Sequence, residues 1–345
     1  MNRSAALTAL CSAALFGAST PLAKLLLGAV DPWMLAGLLY LGAGIGLGVV
    51  HLLRQGIGLG SAEASLARAD LGWLALVILF GGVMGPLLLL FGLRLSGAAS
   101  ASLLLNLESA ATLGIAWVAF RENVDRRLLL GAAAIVTGAL ALSWQPGASV
   151  ISAGSVLIAA ACLCWAIDNN LTRKLSGADP LQIAMLKGLV AGGVNLGIAL
   201  GMGQSLPGPA LILGSGLVGF LGYGLSLVLF VTALRHLGAA RTGAYFALAP
   251  FVGAVLAIGL LGDYLSWQLG LAAGLMGLGL WLHLSERHDH DHSHAVIDHD
   301  HRHSHDAHHQ HGHDDLGPHS HLHHHGPLSH AHGHFPDLHH RHGHT

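Results

Sequence analysis

The sequence predicts an all-α polytopic membrane protein, with ten transmembrane helices in two inverted five-helix repeats and a disordered C-terminal tail. Three observations predict it. Of 345 residues, 53% are hydrophobic and only 10% are charged, where a soluble domain carries roughly 25% charge. The apolar residues gather into long runs near the roughly 20 residues that a helix needs to cross a bilayer. Segments of the first half recur in the second.

The first run follows Met1-Asn2-Arg3 and reaches about Leu27. It outlasts the 7–15-residue core of a signal peptide and is read as a span. Further runs lie at about Trp33–Leu53, Leu71–Leu93, Ala98–Phe120, Leu128–Trp144, Ser152–Leu171, Leu181–Met202, Ala210–Leu234, Leu237–Leu261 and Trp267–Leu284. The 48 glycines fit this class, because small residues let membrane helices approach closely. Cys11, Cys162 and Cys164 all fall in apolar runs and read as buried thiols.

Basic residues set the orientation. With the N-terminus inside, the inner segments hold Arg3, Arg54, Arg68, Arg121, Arg126, Arg127, Arg173, Lys174, Arg235, Arg241 and Arg287, and the outer ones only Lys24 and Arg94. Both termini are therefore expected in the cytoplasm. The formal net charge of −2 excludes a basic nucleic-acid binder. No nucleophile–base constellation suggests an enzyme.

Leu93-Arg94-Leu95-Ser96-Gly97-Ala98-Ala99 matches Leu234-Arg235-His236-Leu237-Gly238-Ala239-Ala240, and on that offset Glu122 meets Asp263. Lys24-Leu25 matches Lys174-Leu175, and Asp31-Pro32 matches Asp179-Pro180. Each half then holds five spans. An odd number makes the second half enter the membrane from the opposite side, which places a binding site near the midplane between the halves. The expected units are residues 1–146, 147–286 and a tail at 287–345. From His288 onward the chain is rich in His with interspersed Asp, Gly, Ser and Pro, and cannot bury a core.

Glu108 is the leading functional candidate. It lies near the middle of the fourth span, where a charge costs about 2.5–3.5 kcal/mol unless it faces protein or a wet cavity. Such a carboxylate can hold a proton or cation in one access state and release it in the other. Asn106 lies two residues away and points elsewhere on a continuous helix. Asp168 and Lys187 each stand about nine or ten residues, roughly 14 Å, from the tip of their shared hairpin, so they lie at equal depth and can pair. Asn169, Asn170, Ser19 and Thr20 are candidate cavity polar groups, and Tyr223, Tyr245 and Trp165 candidate cavity aromatics. Pro21, Pro86 and Pro250 free backbone carbonyls within spans. In the tail, His288, His290, His292, His294, His299, His301, His303, His305, His323, His324 and His325 suit labile binding of Zn²⁺, Ni²⁺, Co²⁺ or Cu²⁺ through neutral imidazole.

The chain resembles the EamA-type transporters of the drug/metabolite transporter superfamily over about residues 4–285. The resemblance rests on the ten-span architecture and on three segments. These are Phe16-Gly17-Ala18-Ser19-Thr20-Pro21-Leu22-Ala23-Lys24, Leu103–Glu108 with Phe120-Arg121-Glu122, and Trp165–Lys174. It implies a bacterial inner-membrane carrier, often an exporter of metabolites, with a central cavity between the repeats. No cofactor is expected to be required. Ala249 and Pro250 stand where the first repeat has Glu108 and Ser109, so any coupling carboxylate is asymmetric. The expected partners are the lipid bilayer, a small-molecule substrate, a divalent metal at the tail and a second copy in a homodimer. The competing expectation is a divalent-metal efflux protein loaded or regulated by the tail.

Overall fold

The computed structural model describes residues 3–56, 66, 70–120, 124, 126–144, 152–172, 175, 179–237, 239–284, 289–294, 297–303, 319–325 and 328–333. Ten helices among these are long and apolar enough to cross a membrane: α1 (Ser4–Leu26), α2 (Pro32–Gly56), α3 (Leu71–Leu95), α4 (Ala98–Ala119), α5 (Arg126–Ser143), α6 (Ala153–Thr172), α7 (Leu181–Gly201), α8 (Pro209–Ala233), α9 (Thr242–Leu261) and α10 (Trp267–Leu284). Many large apolar side chains face outward, including Leu52, Val118, Leu213 and Val255. That is the surface a bilayer solvates.

Helix packing follows a twofold pattern. Helix α1 packs on α8 and α9, and its counterpart α6 packs on α3 and α4. The pairs α2·α7, α4·α9 and α5·α10 each join a helix to its own counterpart. With five spans per half, this is the packing of inverted repeats. The α2·α7 seam is built on glycine. A Cβ at Gly188 would lie 2.7 Å from Gly44 Cα, and one at Gly37 would lie 2.7 Å from the Leu196 backbone nitrogen. Only hydrogen fits there, and Gly188 and Gly192 carry the small-xxx-small spacing that lets membrane helices touch backbone to backbone.

The matched Asp-Pro pairs do the same job in both halves. Asp31 Oδ1 accepts from Trp33 N at 3.0 Å, and Asp179 Oδ1 from Leu181 N at 2.9 Å. Each thus satisfies an orphan amide in the first turn of a helix that starts with proline. Lys24 Nζ donates to Leu93 O at 2.6 Å and Ser96 O at 2.8 Å, tying the end of α1 to the end of α3. Asp263 Oδ2 accepts from Ala99 N at 2.7 Å at the start of α4. Lys174 and Glu122, their repeat partners in sequence, lie outside the described residues.

Four spans are irregular, and symmetrically so. Ile78–Met84 in α3 and Phe220–Leu225 in α8 are wound as π-helix. Helix α4 breaks between Leu104 and Leu107, and α9 between Phe246 and Ala249. The continuous helix expected through Asn106 and Glu108 is therefore corrected. Asn106 Nδ2 donates to Leu103 O at 2.8 Å, and the backbone tightens to three-residue bonds such as Glu108 N to Leu105 O, 3.1 Å. A polar side chain capping the preceding turn competes with continued winding. Cys162 and Cys164 are buried, but Cys11 is exposed, because it lies on the outward face of α1.

After α10 the described residues form β1 (Asp289–His294), β2 (Ile297–His303), β3 (His319–His325) and β4 (Leu328–Gly333), with β1 antiparallel to β4 and β2 to β3. Two-stranded ribbons alone are marginal in water.

Candidate functional site

The site begins with Pro86. Having no N–H, it cannot donate to the carbonyl of Gly82, its α-helical acceptor, or to that of Gly81, the π-helical one. The Gly85 amide goes to Phe80 O. Gly81 O, at mid-depth in α3, is thus left without either of its helical donors and Gly82 O without its α-helical one, and side chains from three other helices take both. Tyr40 Oη donates to Gly81 O at 2.8 Å, Trp165 Nε1 to the same oxygen at 3.1 Å, and Asn195 Nδ2 to Gly82 O at 3.3 Å. The bulge is thereby the junction of α2, α3, α6 and α7.

The ion pair packs on this bulge. Lys187 Nζ contacts Asp168 Oδ2, and Thr172 Oγ1 donates to Asp168 Oδ1 at 3.1 Å. Asp168 is buried. A Cβ at Gly81 would strike the Asp168 carboxylate and lie 2.5 Å from Lys187 Nζ. Gly81 is what admits the pair.

Asn169, next along α6, turns toward α4, where its Nδ2 donates to Glu108 Oε1 at 2.8 Å. Glu108 is only partly buried and Asn169 is exposed. Glu108 stands in the first turn of the second half of α4, where the helix dipole favours negative charge. Asn170 is buried and donates to Ala166 O at 2.8 Å and Thr112 O at 3.3 Å. Asn106 faces away, toward Met276 Sδ at 3.7 Å, and does not join Glu108.

An aromatic cluster flanks these groups. The Tyr40 and Tyr223 rings stack with centroids 5.7 Å apart, and Phe16 meets Tyr223 edge-on at 6.1 Å. Ser19 is buried and donates to Phe16 O at 2.6 Å. Tyr223 lies in the π-helical stretch of α8 and Tyr40 bonds Gly81 O in that of α3, so the two π-helical stretches meet through the tyrosine pair. Thr20 is buried in α1, and Tyr245 lies on the short leading segment of α9.

The structure thus gathers Glu108, Asp168, Asn169, Asn170, Lys187, Ser19 and Tyr223 around the junction of the halves, and leaves Asn106 outside it. Sequence reasoning missed Tyr40, Asn195 and Thr112. Tyr40 and Asn195 are polar groups inside apolar runs, a signal passed over. Among the described residues no three His, Cys, Asp or Glu side chains converge as metal ligands. Of the expected tail ligands, His290, His292 and His294 lie on β1, His299, His301 and His303 on β2, and His323, His324 and His325 on β3. His288 and His305 lie outside the described residues.

The EamA-like transporter family matches the chain twice, over residues 3–144 and 152–285. The chain belongs to this family. It is 32% identical over 281 residues to an uncharacterized transporter of Methanothermobacter thermautotrophicus, covering 77% of this chain and 82% of that protein. A solved crystal structure shares the fold at 18% identity and a TM-score of 0.59, over 82% of this chain and 97% of the other. This EamA-like protein is therefore a multi-pass membrane transporter, its spans solvated by the bilayer and its cargo a small molecule.

Proposed function

We propose that this EamA-like protein is a secondary carrier of the bacterial inner membrane that exports small metabolites by alternating access. Its halves, residues 1–146 and 147–286, rock about the site between them, with both termini cytoplasmic. Glu108 is the ionisable centre. The observation that carries the reading is the Glu108–Asn169 hydrogen bond, which joins a carboxylate of the first half to the second half at mid-depth with both groups accessible. A carboxylate facing lipid there is too costly, so its accessibility marks a cavity. Binding and release of a proton or cation at Glu108 changes its hold on Asn169 and so sets whether the halves stay together or part. The stacked tyrosines and Trp165 offer apolar walls to an organic solute. The tail, residues 287–345, binds divalent Zn, Ni, Co or Cu as a store or regulator rather than as a required cofactor.

Flux of a panel of labelled metabolites in proteoliposomes tests this. The expected result is gradient-driven uptake of at least one solute, lost in Glu108→Gln and retained when residues 288–345 are removed. The histidine-dense tail favours one competing reading, divalent-metal efflux. Metal tolerance of a deletion strain restored only by the full-length chain, with metal flux in vesicles, would establish that reading instead.

A further inference from the structure

The seam between α4 and α6 holds more oxygen than its hydrogen bonds use. Glu108 and Thr112 are four residues apart on α4 and share a face. Opposite them on α6, Asn169 takes Glu108 and Asn170 takes the Thr112 carbonyl. Both donor hydrogens of Asn170 are directed to carbonyls, of Thr112 and Ala166, which fixes the amide and leaves Oδ1 as a bare acceptor. Among the described residues that oxygen has no hydrogen-bond partner, and neither does Thr112 Oγ1. Asn170 is only 2% exposed. A helical threonine ordinarily gives its hydroxyl to the carbonyl four residues back, and this one does not. Asn169 also keeps its Oδ1 free of Glu108, since its nitrogen makes that contact.

We propose that this seam is a binding site for a monovalent alkali cation of sodium's class. Its ligands are a Glu108 carboxylate oxygen, Thr112 Oγ1 and the amide oxygens of Asn169 and Asn170. The inference rests on the carrier reading above and names its coupling ion. A proton on Glu108 supplies one donor, which can serve only one of Thr112 Oγ1 and Asn170 Oδ1 and leaves the other without it, a costly state for a buried polar atom. A dehydrated cation satisfies all of them. One carboxylate with neutral oxygens balances a single positive charge, whereas Ca²⁺ or Mg²⁺ wants more oxygen ligands, several of them carboxylates.

Thermal melting of the purified full-length chain in detergent with EDTA, in NaCl, KCl or choline chloride at one ionic strength and pH, tests this. The expected result is a saturable rise of several degrees with Na⁺, absent with choline. Thr112→Ser keeps the rise, and Thr112→Val and Glu108→Gln lose it. Thr112→Val should melt no lower than the native chain in choline, since its hydroxyl has no partner to lose. Equal melting in all three salts would overturn the proposal and assign the seam to a buried water. An undiminished Na⁺ response in Thr112→Val would overturn it too, by placing the ion elsewhere. Salt-independent melting together with proton-driven, Glu108-dependent flux would remove the cation site and leave the carrier reading standing.

Discussion

Neutralising Lys187 alone should harm this protein more than neutralising Lys187 and Asp168 together. The Asp168 side chain is 6% exposed and that of Lys187 is 21%. In Lys187→Met, the carboxylate keeps only the Thr172 hydroxyl as a described hydrogen-bond partner, within a membrane-embedded bundle. Breaking a buried pair from one side costs about 3–5 kcal/mol. Because Lys187 retains some exposure, the lower figure, about 3 kcal/mol, is the working value. At about 2.1 cal/mol/K of unfolding entropy per residue, a helical domain of roughly 280 residues shifts by about 1.7 °C per kcal/mol, so Lys187→Met should melt about 5 °C below the native protein. Asp168→Asn should lose a similar amount, while the double variant recovers most of it. A thermal double-variant cycle in detergent measures the coupling. Losses that simply add, with coupling under about 0.5 kcal/mol, would refute the claim that the two charges stabilise each other.

Gly81→Ala drives a methyl group into the same pair, so circular-dichroism melts should place it at least as low as Lys187→Met; native-like melting would mean that the bulge relaxes freely. Trp165→Phe and Tyr40→Phe each remove one donor to Gly81 O, and each should cost about 1 kcal/mol, read from the same melts. Glu108→Gln should insert and, in choline chloride, melt like the native chain yet lose coupled flux, measured as expression, melting and proteoliposome uptake side by side. Removing residues 288–345 should abolish most binding of Ni²⁺ or Zn²⁺ by titration calorimetry while leaving the helical signal. In the full chain that binding should weaken below about pH 6, because imidazole, with an ordinary pKa near 6.5, binds metal only when neutral.

Some of this was legible in the sequence because depth in a membrane can be counted along a chain. Equal distances from a hairpin tip place Asp168 and Lys187 level, and the structure pairs them. The Asp-Pro matches mark equivalent helix starts by cap chemistry that is local in sequence. Pro86 signals freed carbonyls, but which side chains serve them depends on α2, α6 and α7 converging on α3. No pattern within one span reports that. The break in α4 contains neither proline nor glycine; it depends on Asn106 capping its own preceding turn, so the apolar run reads as continuous. Thr112 was passed over because a lone threonine in a span ordinarily bonds its own helix. Only the packing of α4 on α6 shows that it does not.

The central claim is that the Glu108–Asn169 junction opens to alternate sides of the membrane. The most direct measurement is two-sided labelling of Asn169→Cys in a background where Cys11, Cys162 and Cys164 are replaced, using a membrane-impermeant maleimide on oriented vesicles. The account predicts that position 169 reacts from both sides, and that label applied from one face prevents reaction from the other. Labelling from a single face under every ion condition tried, or from neither, would contradict it.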